Sequence, residues 1–210
     1  VACMSDETAQ HIRRFVSEGG TLVATNNTSL MDETGRPRAD FALSDVLGAS
    51  YVEPRGLSQW DLIYLSPQTR QRHGFAREEI PSPTYQLRVK ALLGAEVAAR
   101  YYEPTESRYS PKPDLSPDPA LIYNRYGKGE CLYWAGNAAR FYWTYRISEH
   151  QTLLAYGAMR DPLVAVGAAS QSVEVILRRS KQTGDWFIHL LNYTGGMERP
   201  IKRIVPLSDV

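Results

Sequence analysis

An α/β architecture, an open sheet flanked by helices and followed by a β-rich tail, is what three patterns in this 210-residue chain predict. The N-terminal residues read as a helix, a double glycine and a short β-rich strand. Thr21 to Tyr51 then continues as strand, polar turn and helix, the order that open α/β sheets use. From Val173 onward short strands follow one another with no helix between them. The chain accordingly divides into residues 1–162, an α/β domain, and residues 163–210, a β-rich segment.

Ser5 to Glu18 is the first predicted helix. Ser5 can cap it, Asp6 and Glu7 suit its positive N-terminal end, Arg13 and Arg14 lie toward the negative end, and Gly19-Gly20 stops it, one of the two with positive φ. Ala9, Ile12, Phe15 and Val16 share one face. Thr21 to Thr25 follows as a buried parallel strand, and Phe41 to Leu47 as a helix ended by Gly48. Leu57 to Pro83 holds one strand, Asp61 to Leu65, and otherwise reads as an insertion or crossover. Gln86 to Leu92 and Glu96 to Tyr102 are strands joined at Gly94. Pro104 to Pro119, with four further prolines, is predicted as an exposed loop. Leu121 to Tyr126 and Glu130 to Trp134 form a hairpin around Gly127-Lys128-Gly129, where two glycines permit positive φ. Asn137 to Arg160 is helical with a break near Ser148, closed by Asp161-Pro162. Val173 to Arg179, Trp186 to Asn192 and Ile201 to Pro206 are the strands of the tail, separated by Gly-Asp and Gly-Gly turns.

The net charge is +1, from 24 basic and 23 acidic residues, so no global field favours nucleic acid, anionic lipid or an acidic substrate. Cys3 and Cys131 are too few for a disulfide framework or a thiolate metal site, and a reducing, cytoplasmic setting is expected. No apolar run approaches the ~20 residues of a bilayer span, so no membrane partner is expected. The sequence starts Val-Ala-Cys and stops within strand-like residues, and is read as an excised piece or an incomplete gene product.

VSEGGTLVATNNTSLMDETGRPRADFALSDVLGASYVE, GAEVAARYYEP (Gly94 to Pro104) and ALIYNRYGKGECLYWAG (Ala120 to Gly136) together resemble the β-galactosidase trimerisation domain, the middle domain of family 42 glycoside hydrolases. The resemblance covers most of Ser5 to Arg160, with Arg55 to Leu87 fitting poorly. It implies a flavodoxin-like, class I glutamine amidotransferase-like open sheet. It also implies that the sheet's first strands lie before Val1, that an N-terminal barrel domain of the same protein carries the catalytic carboxylates, and that the chain forms a homo-oligomer, a trimer by family. The tail resembles the start of the small β-domain that follows.

In open α/β sheets nucleophiles and ligands sit where strands end and helices begin. Here that junction, Thr25 to Ser29, holds two asparagines and three hydroxyls but no cysteine, histidine or carboxylate. The amidotransferase relatives place a cysteine on a Gly-flanked elbow, with a histidine and a glutamate two residues apart on a later strand end. The matching turn lacks cysteine and flanking glycines, and none of His11, His73, His150 or His189 has a glutamate at that spacing. A thiolate nucleophile needs a base and an oxyanion site within reach, and those parts are missing. Cys3, just before a helix N-terminus, has no histidine nearby in sequence and reads as a small apolar residue; Cys131 reads as core.

Asp32, Glu33, Arg36, Arg38 and Asp40 form a charged loop that either lines a contact or is solvated, with Arg36 and Arg38 held outward by the proline between them. Tyr133, Trp134, Phe141, Tyr142, Trp143 and Tyr145 form an aromatic cluster suited to sugars, protein interfaces or core packing. Consecutive helical positions cannot all face one way, so some of these rings must be exposed or covered by another domain or chain. The candidate binding or interface residues are Asn26, Asn27, Asp32, Arg36, Arg38, Trp134, Tyr142 and Trp143, with no catalytic residue, metal or cofactor assigned. The expected role is a non-catalytic assembly domain of a larger β-galactosidase-like glycoside hydrolase, bordering the active site of its barrel domain. Two alternatives stay open: a carbohydrate-binding module using exposed aromatics, and an amidase or esterase with an unfamiliar site.

Overall fold

The first helix, α1 (Asp6–Ser17), starts where the Ser5 hydroxyl accepts the Thr8 amide at 3.1 Å, and stops at Gly19, whose φ of +121° no L side chain adopts comfortably. The computed structural model describes residues 1–57, 61–105, 107, 109–157, 173–195, 200, 203 and 205–206. The chain separates into two compact units, Val1–Arg160 and Asp161–Val210.

In the first unit α1 leads into β1 (Thr21–Thr25), which lies parallel to β8 (Gly129–Trp134) with Thr21 opposite Glu130 and Thr25 opposite Trp134. Glycines permit this approach. A Cβ on Gly129 would overlap the Gly20 and Val16 carbonyl oxygens, and one on Gly127 would meet Ser17. Gly127 has a φ of +59°, whereas Gly129 does not have positive φ and is needed for closeness. Strand β7 (Leu115–Tyr126) forms the hairpin with β8, and β6 (Glu96–Tyr102), β3 (Leu62–Leu65) and β4 (Glu79–Pro81) extend the sheet in the order β1-β8-β7-β6-β3-β4.

The α/β expectation holds, but the sheet is mixed: β1–β8 is its parallel pair, and the remaining neighbours run antiparallel. An all-parallel, flavodoxin-like order is therefore not what the described strands form. Among the described residues β1 is an edge and only half-buried, rather than a strand sunk in the sheet. A separate antiparallel pair joins β2 (Ala49–Leu57) to β5 (Tyr85–Ala91), with register shifts around Glu53 and Pro54. Those bulges let a strand carry Pro54 and Gly56, the residues that hid it from a reading of the sequence.

Other elements differ from expectation for local reasons. The helix predicted over Phe41 to Leu47 shrinks to α2 (Ser44–Leu47), because Asp40 holds the preceding turn by accepting the Phe41 and Tyr51 amides at 2.7 Å each. The region from Leu57 to Pro83 holds a helix, α3 (Pro67–His73), with Ser66 capping and Pro67 opening it. The supposed loop Pro104 to Pro119 ends early, since Leu115 to Pro119 belongs to β7, where register shifts against β6 accommodate the prolines. The helical stretch after Asn137 is two helices, α4 (Ala138–Tyr145) and α5 (Ser148–Leu154), broken at Arg146 with φ +54°. Residues 158–172, with the Asp161-Pro162 stop, lie outside the described residues, as do three of the six positions from Ile201 to Pro206.

In the second unit β9 (Val173–Arg179) and β10 (Trp186–Asn192) form an antiparallel ribbon. Trp186, Phe187, Ile188, Leu190 and Leu191 are all exposed, so both of its faces are apolar.

Ile63, Leu65, Leu121, Ile122, Leu132, Tyr101, Tyr133 and Trp134 fill the core around the main sheet. One charged side chain ties the two sheets together. Arg55 on β2, 2% exposed, donates to Asp118 Oδ2 on β7 at 3.0 Å, to Gln86 Oε1 on β5 at 2.8 Å and to the Tyr102 carbonyl on β6 at 2.7 Å. Its guanidinium also lies 4.8 Å from the Tyr101 ring centroid. Removing one partner of a buried, hydrogen-bonded pair leaves the other uncompensated.

Arg55→Ala is therefore expected to destabilise the first unit by about 3–5 kcal/mol, against less than about 1 kcal/mol for Arg88→Ala, whose pairs lie at the surface; urea midpoints of the two variants check this. Gly48 (φ +67°), where a Cβ would also strike Asn124 and Ala95, should tolerate alanine worse than Gly19, where space is open and the loss is about 1 kcal/mol. Equal melting temperatures for the two alanine variants would contradict this ordering.

Candidate functional site

The C-terminal ends of β1 and β8 define the place where chemistry is expected in this topology, and the turn Asn26–Ser29 occupies it. Asn26, directly after β1, has a φ of +51° and Ser29 one of +63°. A left-handed residue after a strand is the geometry of a nucleophile elbow. Here asparagine fills it, a residue that tolerates that region without a functional group to display. Its polar groups are spent on structure: the side-chain amide donates to the Tyr85 carbonyl at 3.3 Å, Oδ1 accepts the Asn27 amide at 2.8 Å, and the carbonyl accepts the Tyr133 hydroxyl at 2.7 Å. Ser29 is fully buried, its Oγ accepting the Leu43 amide at 3.2 Å. Neither arrangement supplies an activated nucleophile. Cys3 is exposed and bridges to Met31, while Cys131 is buried and its thiol is pushed up by burial.

The charged loop is more ordered than a solvated loop needs to be. Asp32 closes it by accepting from the Thr34 hydroxyl at 2.7 Å and the amides of Thr34 at 2.8 Å and Arg36 at 3.0 Å. The Thr34 hydroxyl first and the Arg36 amide second hold its carboxyl below the usual range. Arg36 is exposed as expected. Arg38 is not: its guanidinium turns inward to the Met4 carbonyl at 3.0 Å and Asp6 at 2.8 Å, pinning the loop to the start of α1.

The aromatic cluster divides into core and surface. Tyr133 and Trp134 are fully buried, so Trp134 packs the interior, stacked on His150 at 5.1 Å, and presents no binding face. On α4, Phe141 and Tyr142 are half-buried, while Trp143 is 72% and Tyr145 61% exposed. Arg146, the left-handed residue that ends α4, lays its guanidinium 4.4 Å from the Trp143 ring and 5.4 Å from the Tyr142 ring. Tyr85 links this helix to the turn after β1. Its amide donates to Asn137 Oδ1 at 3.1 Å, its carbonyl accepts from Asn26, and its ring lies 5.8 Å from Arg140. The structure thus brings Asn26, Tyr85 and α4 into one patch, with an open groove of about 820 Å³ beside it, lined in part by Phe141, Tyr145 and Ile147. The Asp32 to Arg38 loop is tied instead to the start of α1.

Tyr85, His150 and Arg146 were missed in the sequence. A β-strand tyrosine beside Pro83 carried no signal, but Arg146-Ile147-Ser148 did carry a helix break. Among the described residues no cluster of histidine, cysteine and carboxylate groups is placed to hold a metal ion, and no helix is long and apolar enough to cross a membrane.

Comparison with known proteins adds to this geometry. The sequence profile described as the β-galactosidase trimerisation domain matches residues 1–144. Among curated protein sequences none matches significantly. Of solved structures, the β-galactosidase from Rahnella sp. R3 superposes with a TM-score of 0.67 at 23% identity, over 91% of this chain and 26% of that one. The β-galactosidase from Bacillus circulans sp. alkalophilus gives 0.67 and 23% over 92% and 26%. That of the Antarctic haloarchaeon Halorubrum lacusprofundi gives 0.57 and 15% over 92% and 25%. At these identities the likeness is one of fold, and this chain spans about a quarter of the length of each.

His150 gives the site a pH signature. It is fully buried between Trp134 and Phe141, at 5.1 Å and 5.2 Å, and neither ring nitrogen makes a hydrogen bond in good geometry. Burial lowers its pKa from 6.5 to about 4, against weak support for the charged form from Glu149 and the Pro81 backbone. The unfolded chain therefore binds the proton first as pH falls, and stability is lost from about pH 6.5 down to about pH 4. This single group accounts for about 3 kcal/mol over that window. Urea midpoints at pH 7 and pH 5 should fall more steeply for the native chain than for His150→Phe, and parallel profiles would refute the assignment.

Proposed function

Because this chain belongs to the β-galactosidase trimerisation domain family, we propose that it is the assembly domain of a larger β-galactosidase-like protein, holding copies together and leaving the chemistry to a separate barrel domain. The observation that carries the reading is the exposed aromatic end of α4. Trp143 and Tyr145 project from a short helix with Arg146 against the indole, the composition enriched at the centres of protein interfaces. Exposed aromatic rings gathered in one patch mark a surface suited to a partner.

The turn after β1 supports the non-catalytic half of the reading, since its elbow residue is an asparagine whose groups are all engaged. A family so described supports a threefold homo-oligomer, and a contact of more than ~1,000 Å² in total is expected. The two unpaired cysteines support a reducing, cytoplasmic setting.

Light scattering on the chain at tens of micromolar is expected to give a trimer, and Trp143→Ala to weaken the association by about 30-fold or more. A monomer at that concentration, or an unchanged trimer in Trp143→Ala, would overturn the role of α4. The chain is also expected to leave aryl galactosides and glutamine unhydrolysed, and turnover above that of a Ser29→Ala, Cys3→Ala control would overturn the non-catalytic reading.

A further inference from the structure

At the other end of the main sheet, away from the β1–α4 patch, a second cavity of about 400 Å³ opens between the C-terminal end of α3, the start of β6, the β7–β8 hairpin and the residues after α5. Its walls include Arg72, Glu96, Tyr123, Arg125, Glu130 and Tyr156. We propose that this cavity binds a neutral pyranose, a mono- or disaccharide, with Tyr156 as the ring platform and Glu96 and Arg125 as the hydroxyl partners.

Charge balance selects the ligand class. Two guanidinium groups face two carboxylates, so neither an anion nor a cation gains net attraction, while a ligand that both donates and accepts finds both kinds of partner. The framework is preorganised. Arg72 donates to Glu96 Oε2 at 2.9 Å and lies 4.1 Å from the Tyr123 ring centroid, and the Tyr123 hydroxyl pairs with His73 Nε2. Tyr123, His73 and Tyr156 form an aromatic corner, with Tyr156 5.4 Å from Tyr123 and 5.6 Å from His73. These contacts hold Glu96 in place while using only one of its oxygens. The other, Oε1, is buried and accepts no hydrogen bond among the described residues. That oxygen is screened from solvent, so hydroxyls in the cavity meet the rest of the part-exposed Glu96 carboxylate and the exposed Arg125 guanidinium.

The volume is that of a small-ligand site and too small for a long glycan. Stacking of the apolar face of a pyranose on a tyrosine, with hydroxyls on a carboxylate and a guanidinium, uses both features the cavity offers. The α4 patch offers rings without such a paired set of charges, so sugar recognition belongs here and not on Trp143.

The test is an NMR titration of the chain with galactose, glucose and lactose. Saturable amide shifts at Glu96, Arg125 and Tyr156, with saturation transfer to ring C–H protons, are expected for at least one of the three. Glu96→Gln and Arg125→Gln should each lower affinity by about tenfold or more, the loss of a hydrogen bond to a charged group, while far-UV circular dichroism stays native. Arg125 is exposed, so its variant keeps the test open if Glu96→Gln does not fold. No saturable shift with any of the three sugars, shifts confined to α4, or undiminished binding in the variants would overturn the proposal. Oligomeric state read by light scattering is independent of all these outcomes, so the assembly reading stands or falls separately.

Discussion

The closeness of two glycine-bearing turns governs the first unit. Gly127 and Gly129 on the β7–β8 hairpin press against Ser17 and Gly20 at the end of α1, near enough that the Lys128 amide reaches the Ser17 carbonyl at 2.9 Å. Side chains at these positions would hold the helix end and the hairpin apart. With them in contact, the register Thr21 to Glu130 is fixed, and by the two-residue period of a strand so is every pair up to Thr25 and Trp134. The Asn26 elbow, the Tyr133 hydroxyl beneath it and the Tyr85 link to α4 all inherit their positions from that register.

A second level of order comes from Arg55. It lies on β2 in the small sheet, yet its partners are spread over β5, β6 and β7. A hydrophobic side chain there would pack both sheets without specifying their relative placement, whereas a planar donor with three separately located acceptors tolerates only one arrangement. Gln86, one of those acceptors, in turn donates to Ser82 at 2.8 Å and to the Pro83 carbonyl at 3.2 Å, so the same network fixes the segment that delivers Tyr85 to the surface patch. The patch is thus a rigid surface built on a satisfied polar core, which suits recognition more than catalysis.

Much of this was legible in the residues where local chemistry decides. Ser5, the acidic first turn and Gly19 delimit α1 with its cap, and alternating apolar residues around Gly127 declare the β7–β8 hairpin. The empty nucleophile position was readable at Asn26 directly. What escaped depends on tertiary context. Strand β2 contains Glu53-Pro54-Arg55-Gly56, which reads as a turn until a bulged partner and a buried ion pair compensate for it. Helix α3 did announce itself through Ser66-Pro67, but the basic residues after it obscured the signal. Trp134 and Trp143 belong to one aromatic cluster in the sequence; the first faces inward at the end of β8, an inner strand between β1 and β7, the second outward because α4 buries Ala138 and turns its other side to solvent. The cavity lined by Glu96 and Tyr156 joins residues from four elements and has no linear trace.

The pairing of β1 with β8 also sets a timetable. The Tyr133 to Asn26 hydrogen bond closes a gap of 107 residues, and at synthesis rates of about 5–20 residues per second its two ends are born roughly 5–20 s apart. Until Gly129–Trp134 is made, Thr21–Thr25 lacks the strand it pairs with among the described residues. Local contacts cannot shorten the wait, because the nearer strands belong to other parts of the sheet. The β1–β8 seam therefore joins the earliest and the latest made of the described strands in this sheet.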